Sequence, residues 1–79
     1  MFTKTRRIYE VWAYTNAQDD EPYNRETSTR KADALKLARA WASRYGRVEV
    51  NALYVNADDD NDVQGDELIT AYENGHKTT

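Results

Sequence analysis

Two periods of apolar and polar residues alternate along this chain. Over residues 6–15, Arg-Arg-Ile-Tyr-Glu-Val-Trp-Ala-Tyr-Thr, aromatic and branched side chains dominate, which predicts a strand. Strand side chains alternate faces, so Ile8, Trp12 and Tyr14 fall on one side and Tyr9, Val11 and Ala13 on the other. From Arg30 to Tyr45 the spacing changes. Ala34, Leu37, Ala38, Trp41, Ala42 and Tyr45 recur at three- and four-residue steps, while Asp33, Lys36, Arg39, Ser43 and Arg44 point elsewhere. This predicts an amphipathic helix opened by the hydroxyl of Ser28 or Thr29 and stopped by Gly46. Beyond Arg47 the period returns to two. Val48, Val50, Ala52 and Tyr54 alternate with Glu49, Asn51, Leu53 and Val55, predicting a second strand whose first set meets the helix.

The segments between carry turn chemistry. Residues 16–27, with Asp19, Asp20, Glu21, Pro22 and Asn24, show neither period and read as a solvated loop. Asp58-Asp59-Asp60-Asn61-Asp62 is self-repelling and reads as the long acidic tip of a hairpin, closed by Gly65 before a short third strand over Glu67–Tyr72. Asn74-Gly75 signals a turn, and the few residues after it read as a flexible C-terminal tail from about residue 74. The expected fold is one small α+β domain over residues 1–79. It is a two-layer strand-helix-strand-strand plait, with one helix packed on a small three-stranded sheet. A right-handed crossover through the helix would make the first two strands parallel were they neighbours.

This pattern has more apolar strand surface than one helix can cover. The uncovered side would hold Trp12, Tyr14, Leu53 and Val55 as an exposed patch, the usual mark of a contact site. Placing the helix on the Trp12 side instead would bury Glu10 without a partner, which argues against that arrangement.

Composition narrows the picture. A 79-residue chain without cysteine has neither disulfides nor thiolate metal sites, so burial or association must hold it together. Fourteen Asp and Glu against eleven Lys and Arg give a net charge of -3, which weighs against general affinity for phosphate backbones. The charges are segregated. Cations gather at Lys4, Arg6, Arg7, Arg25, Arg30 and Lys31, whereas Asp58, Asp59, Asp60, Asp62 and Asp66 lie close together. No apolar run approaches the roughly 18 residues of a membrane span, and Met1–Arg7 lacks a signal-peptide core, so a cytoplasmic protein is expected.

Candidate chemistry is sparse. Asp58, Asp60 and Asp62 have the start of an EF-hand spacing, but counting from Asp58 puts Val63 at the glycine position and Ile69 at the closing acid position. Counting from Asp60 fits Gly65 but leaves Ala71 as the closing residue, so no metal site and no cofactor are expected. The one histidine, His76, lies in the expected tail. Ser28 and Ser43 read as helix cap and helix surface, and Glu10 and Glu49 as solvated strand acids, so no catalytic group is assembled. Aromatics near Arg6, Arg7 and Arg47 could stack bases, but the aromatic-basic consensus of RNA-recognition strands is absent.

The element order, the helix Arg30-Lys31-Ala32-Asp33-Ala34-Leu35-Lys36-Leu37-Ala38-Arg39-Ala40-Trp41 and the aspartate-rich hairpin resemble small accessory proteins of phages and mobile elements, anti-CRISPR proteins among them. That resemblance implies inhibition or modulation of a host nucleic-acid-handling complex by surface occlusion. The expected function is a non-enzymatic protein-binding module in which Trp12, Tyr14, Leu53 and Val55 supply contact area and Asp58, Asp59, Asp60, Asp62 and Asp66 supply charge. The expected partner is another protein, such as a basic surface of a nucleic-acid-binding complex. A homodimer and a weak single-strand binder are the alternatives.

Overall fold

A computed structural model of the chain describes residues 4–78, so Met1–Thr3 and Thr79, the extremes of the signal-peptide and tail readings, lie outside the described residues. The elements are β1 (Thr5–Tyr14), β2 (Asn24–Ser28), α1 (Lys31–Ala42), β3 (Arg47–Asn56), β4 (Asp59–Glu73) and β5 (His76–Lys77). The five strands form one sheet in the order β2-β1-β3-β4-β5, and each neighbouring pair is antiparallel. The three-stranded plait expected from the sequence is therefore wrong.

The additional strand β2 is the main reason. Asn-Arg-Glu-Thr-Ser contributes no fully buried side chain, so no apolar period announces it. Ladder bonds to β1 define it, with register from Tyr9↔Ser28 to Ala13↔Asn24. It also reverses the chain before α1. Consequently β3 runs antiparallel to β1, from Thr5↔Asn56 to Tyr14↔Arg47, and the expected parallel pairing does not occur.

The second correction concerns the aspartates. The turn is confined to Ala57-Asp58, and Asp59 already belongs to β4. Short side chains make this workable: the Asp58 N–H donates to Asn56 Oδ1 (2.9 Å) and the Asn61 N–H to Asp59 Oδ1 (3.0 Å). Register shifts between Val50 and Asn51, Tyr54 and Val55, and Val55 and Asn56 mark bulges that take up the extra residues of β4. At its other end, Asn74 (φ 52°) and Gly75 (φ 84°) both adopt the left-handed conformation of a tight hairpin turn, and β5 pairs Tyr72↔Lys77 and Glu73↔His76.

The core forms where α1 lies on the sheet. Tyr9, Val11 and Ala13 of β1 and Val48, Val50 and Ala52 of β3 are buried against Ala34, Ala38 and Trp41. Alanines on the contact stripe let the helix approach closely, and Leu35, Leu37, Tyr45, Ile69 and Tyr72 fill the margins. Trp41 meets Tyr45 edge to face at 5.6 Å. The expected cap differs: Arg30 stands at the N-cap with no side-chain bond, because the Ser28 hydroxyl is engaged with the Arg30 N–H and carbonyl, both at 3.1 Å.

Twelve helical residues span about 18 Å, whereas ten strand residues span about 33 Å. The sheet therefore outruns its helix, consistent with overall extents of 44 × 24 × 19 Å. Tyr54, expected to meet the helix, lies beyond that core. Its hydroxyl accepts from Arg7 Nη2 (3.0 Å) and donates to Glu67 Oε2 (3.2 Å), and its ring flanks Gly65 across the ladder.

Candidate functional site

Strand register places one set of side chains on the face away from α1. Trp12 sits between Arg25 of β2 and Glu49 of β3, Glu10 opposite Asn51, and Ile8 opposite Leu53; Leu68 and Asp66 of β4 continue the Asn51 and Leu53 rows. No described element packs over the middle of this face.

Trp12 is half-buried and held on two sides. Its indole Nε1–H donates to Glu10 Oε1 (2.9 Å), and the Arg25 guanidinium lies 5.5 Å from its ring. Glu10 thus has the partner whose absence would have made its burial costly. Leu53 is also half-buried.

The two ends of the face are closed by the protein itself, which corrects the expectation that Tyr14 and Val55 are exposed. Tyr14 is only 3% exposed. The Arg47 guanidinium stacks 3.9 Å from its ring and is fixed by Nη1 to the Ala17 carbonyl (2.6 Å) and Nη2 to the Asp19 carbonyl (3.0 Å), so the β1–β2 loop ties down the roof. Arg47 Nε is left buried without a partner. Burial pushes the Tyr14 hydroxyl pKa up, with Glu49 nearby adding to the effect and Arg47 opposing it.

At the other end Val55 is fully buried and Ile8 nearly so. Arg6 stands opposite Val55 and is paired with Asp60, its Nε donating to Oδ1 (3.0 Å) and its Nη2 to Oδ2. The bulged β4 brings Asp60 back within reach of β1.

Two exposed apolar residues escaped the sequence reasoning. Simple alternation from Thr70 would carry Leu68 to the helix side, but the additional residue Ile69 puts it opposite Asn51 on the open face. Leu68 is 47% exposed, and Val63, opposite Val55, is 51% exposed. A bulge of this kind leaves no signature in apolar spacing. The open face thus carries Trp12, Leu53, Leu68 and Val63 as separate apolar positions, with the Glu10–Asn51 row between Trp12 and Leu53 and Asp66 between Leu68 and Val63.

Asp58, Asp59, Asp60, Asp62 and Asp66 are all exposed along the β3–β4 hairpin. They do not act as one cluster. Asp60 pairs with Arg6, Asp62 Oδ2 accepts from Asn56 Nδ2 (3.3 Å), Asp59 caps Asn61, and Asp66 stands across from Leu53. Among the described residues, no three His, Cys, Asp or Glu side chains converge as a metal site, and no cavity opens. His76 is exposed on β5, while Glu10 and Glu49 face different partners across the ladder. What the arrangement presents is an open sheet face opposite α1. Compared with known protein families, curated proteins and solved structures, the chain shows no match.

Proposed function

We propose that this protein is a binding module that occupies a surface of another protein through the sheet face opposite α1, with the acidic hairpin directing it toward a basic partner. One observation carries the reading: Trp12, Leu53, Leu68 and Val63 keep surface on a sheet face over whose middle no described element packs, interspersed with Glu10, Asn51 and Asp66. Half-buried aromatic and aliphatic groups of this kind supply binding area, and surrounding charge raises association rate and selects the partner. The partner class favoured by the acidic hairpin is a protein with a Lys- or Arg-rich surface, as on complexes that handle nucleic acid. The protein then works in the cytoplasm by occlusion, in the manner of the phage-borne accessory proteins it resembles, and performs no chemistry of its own.

Affinity capture from host extract, compared across variants, tests this. The Trp12→Ala and Leu68→Asp double variant should lose most of the captured partner while keeping a cooperative thermal transition. Asn at positions 58, 59 and 62 should weaken capture more at low salt than at high salt. Undiminished capture by the folded double variant would overturn the reading.

A further inference from the structure

One side of β4 is paired with β3 from Arg47↔Glu73 to Asn56↔Asp59, but the other side is nearly bare. β5 pairs only with Tyr72 and Glu73, and the Thr78 N–H reaches the Ala71 carbonyl at 2.9 Å. Among the described residues no strand lies beside residues 59–69 of β4. Alternate backbone N–H and C=O groups along that stretch point away from β3 and offer a template for a further strand. Within it, Gly65 to Leu68 keeps an unbroken register with Tyr54 to Asn51, so this part presents the most regular edge.

The side chains along this edge select what can pair. Residues 59–73 contain Asp59, Asp60, Asp62, Asp66, Glu67 and Glu73 and no Lys or Arg. A second copy pairing antiparallel would set carboxylates against carboxylates, and like charges across a ladder are unfavourable. Asp60 is already matched by Arg6, and the other acids of residues 59–69 have no cation partner among the described residues. The edge is thus guarded against itself and against acidic strands, but a cationic strand would be drawn to it.

Resting on the protein-binding reading above, we propose that β4 takes up an extended Lys- or Arg-rich segment of the partner as a sixth strand alongside residues 63–68. The incoming strand would place one set of side chains on the open face, beside Val63, Asp66 and Leu68, and the other beside Glu67. The matching segment therefore carries cations on both faces and a small apolar residue against Leu68.

Synthetic ten-residue peptides test this: a lysine-lysine-valine repeat, which sets lysines on both faces of a strand, the same peptide with glutamate for lysine, and the lysine peptide with alternate backbone amides N-methylated. Amide hydrogen exchange of the full chain is read by NMR. The lysine peptide should slow exchange of outward-facing β4 amides between 63 and 68 by at least tenfold, an illustrative threshold for an added ladder bond. The glutamate and N-methylated peptides should leave them unchanged, and the Asp66→Lys, Glu67→Lys variant should lose the effect. Equal protection by the N-methylated peptide, or none by any peptide, would overturn strand addition. Concentration-dependent protection without peptide would assign the edge to a second copy instead. A footprint confined to Trp12 and Leu53 would overturn the edge proposal while leaving the open-face reading intact, whereas undiminished capture by the folded Trp12→Ala variant, which leaves β4 untouched, would strike that reading alone.

Discussion

Gly46 shows how much a single missing methyl can decide. A Cβ there would lie 2.8 Å from Ala17 N, Asn16 Cα and Thr15 O, all backbone atoms that cannot swing aside. Its own N–H donates to the Thr15 carbonyl (3.1 Å), and its carbonyl accepts from the Asn74 N–H (2.8 Å), so three segments meet at this residue. Gly46→Ala should cost about 2–3 kcal/mol by overpacking, measurable as a lower urea midpoint at unchanged slope. Tyr14 gives a pH prediction. Its hydroxyl is buried, which raises its pKa above the ordinary value of 10.0. The folded state then holds a proton that the unfolded chain gives up, so stability is intact below pH 10 and falls as pH climbs from 10 through the folded value. Tyr14→Phe should flatten the alkaline limb of a denaturation profile and leave the neutral region little changed.

At the scale of elements, α1 begins without a side-chain cap because Ser28 is occupied with Arg30. Arg30→Asp should therefore add about 1 kcal/mol by satisfying a first-turn amide and complementing the helix dipole, seen as a melting temperature higher by several degrees. The helix and the two central strands were legible in the sequence because burial on one face imposes a period on their residues. The Val48, Val50 and Ala52 set and the Trp41 stripe meet as their spacing indicates. What escaped reading lacks such a period. β2 is held by backbone bonds to β1, and the aspartates of β4 are extended by pairing with β3 rather than by any preference of their own. Of the expected contact residues, Trp12 and Leu53 keep surface, while Tyr14 is roofed by Arg47 and Val55, opposite Arg6 and Val63, is fully buried. Arg47 stands 33 positions from Tyr14 and Asp60 54 from its partner Arg6, and no local pattern reveals either pairing.

Across the whole molecule, the helix covers one end of a longer sheet. Local stability should follow that coverage, and amides of β3 near Val50 should exchange far more slowly than those near Asn56. The Arg6–Asp60 pair is about half exposed, so Arg6→Ala should change global stability by less than about 1 kcal/mol. Its effect should instead appear as faster exchange at the hairpin end, read by the same NMR measurement. The sheet also separates two indoles. Trp41 lies in the dry layer under α1 at 8% exposure, and Trp12 lies half-wet on the opposite side between a guanidinium and a carboxylate. The chain thereby carries two built-in fluorophores with different duties. Trp12→Phe should leave a blue-shifted emission, shielded from iodide, that reports unfolding. Trp41→Phe should leave a redder, quenchable emission that brightens or shifts only when something settles on the open face, so occupancy can be watched by light without attaching a label.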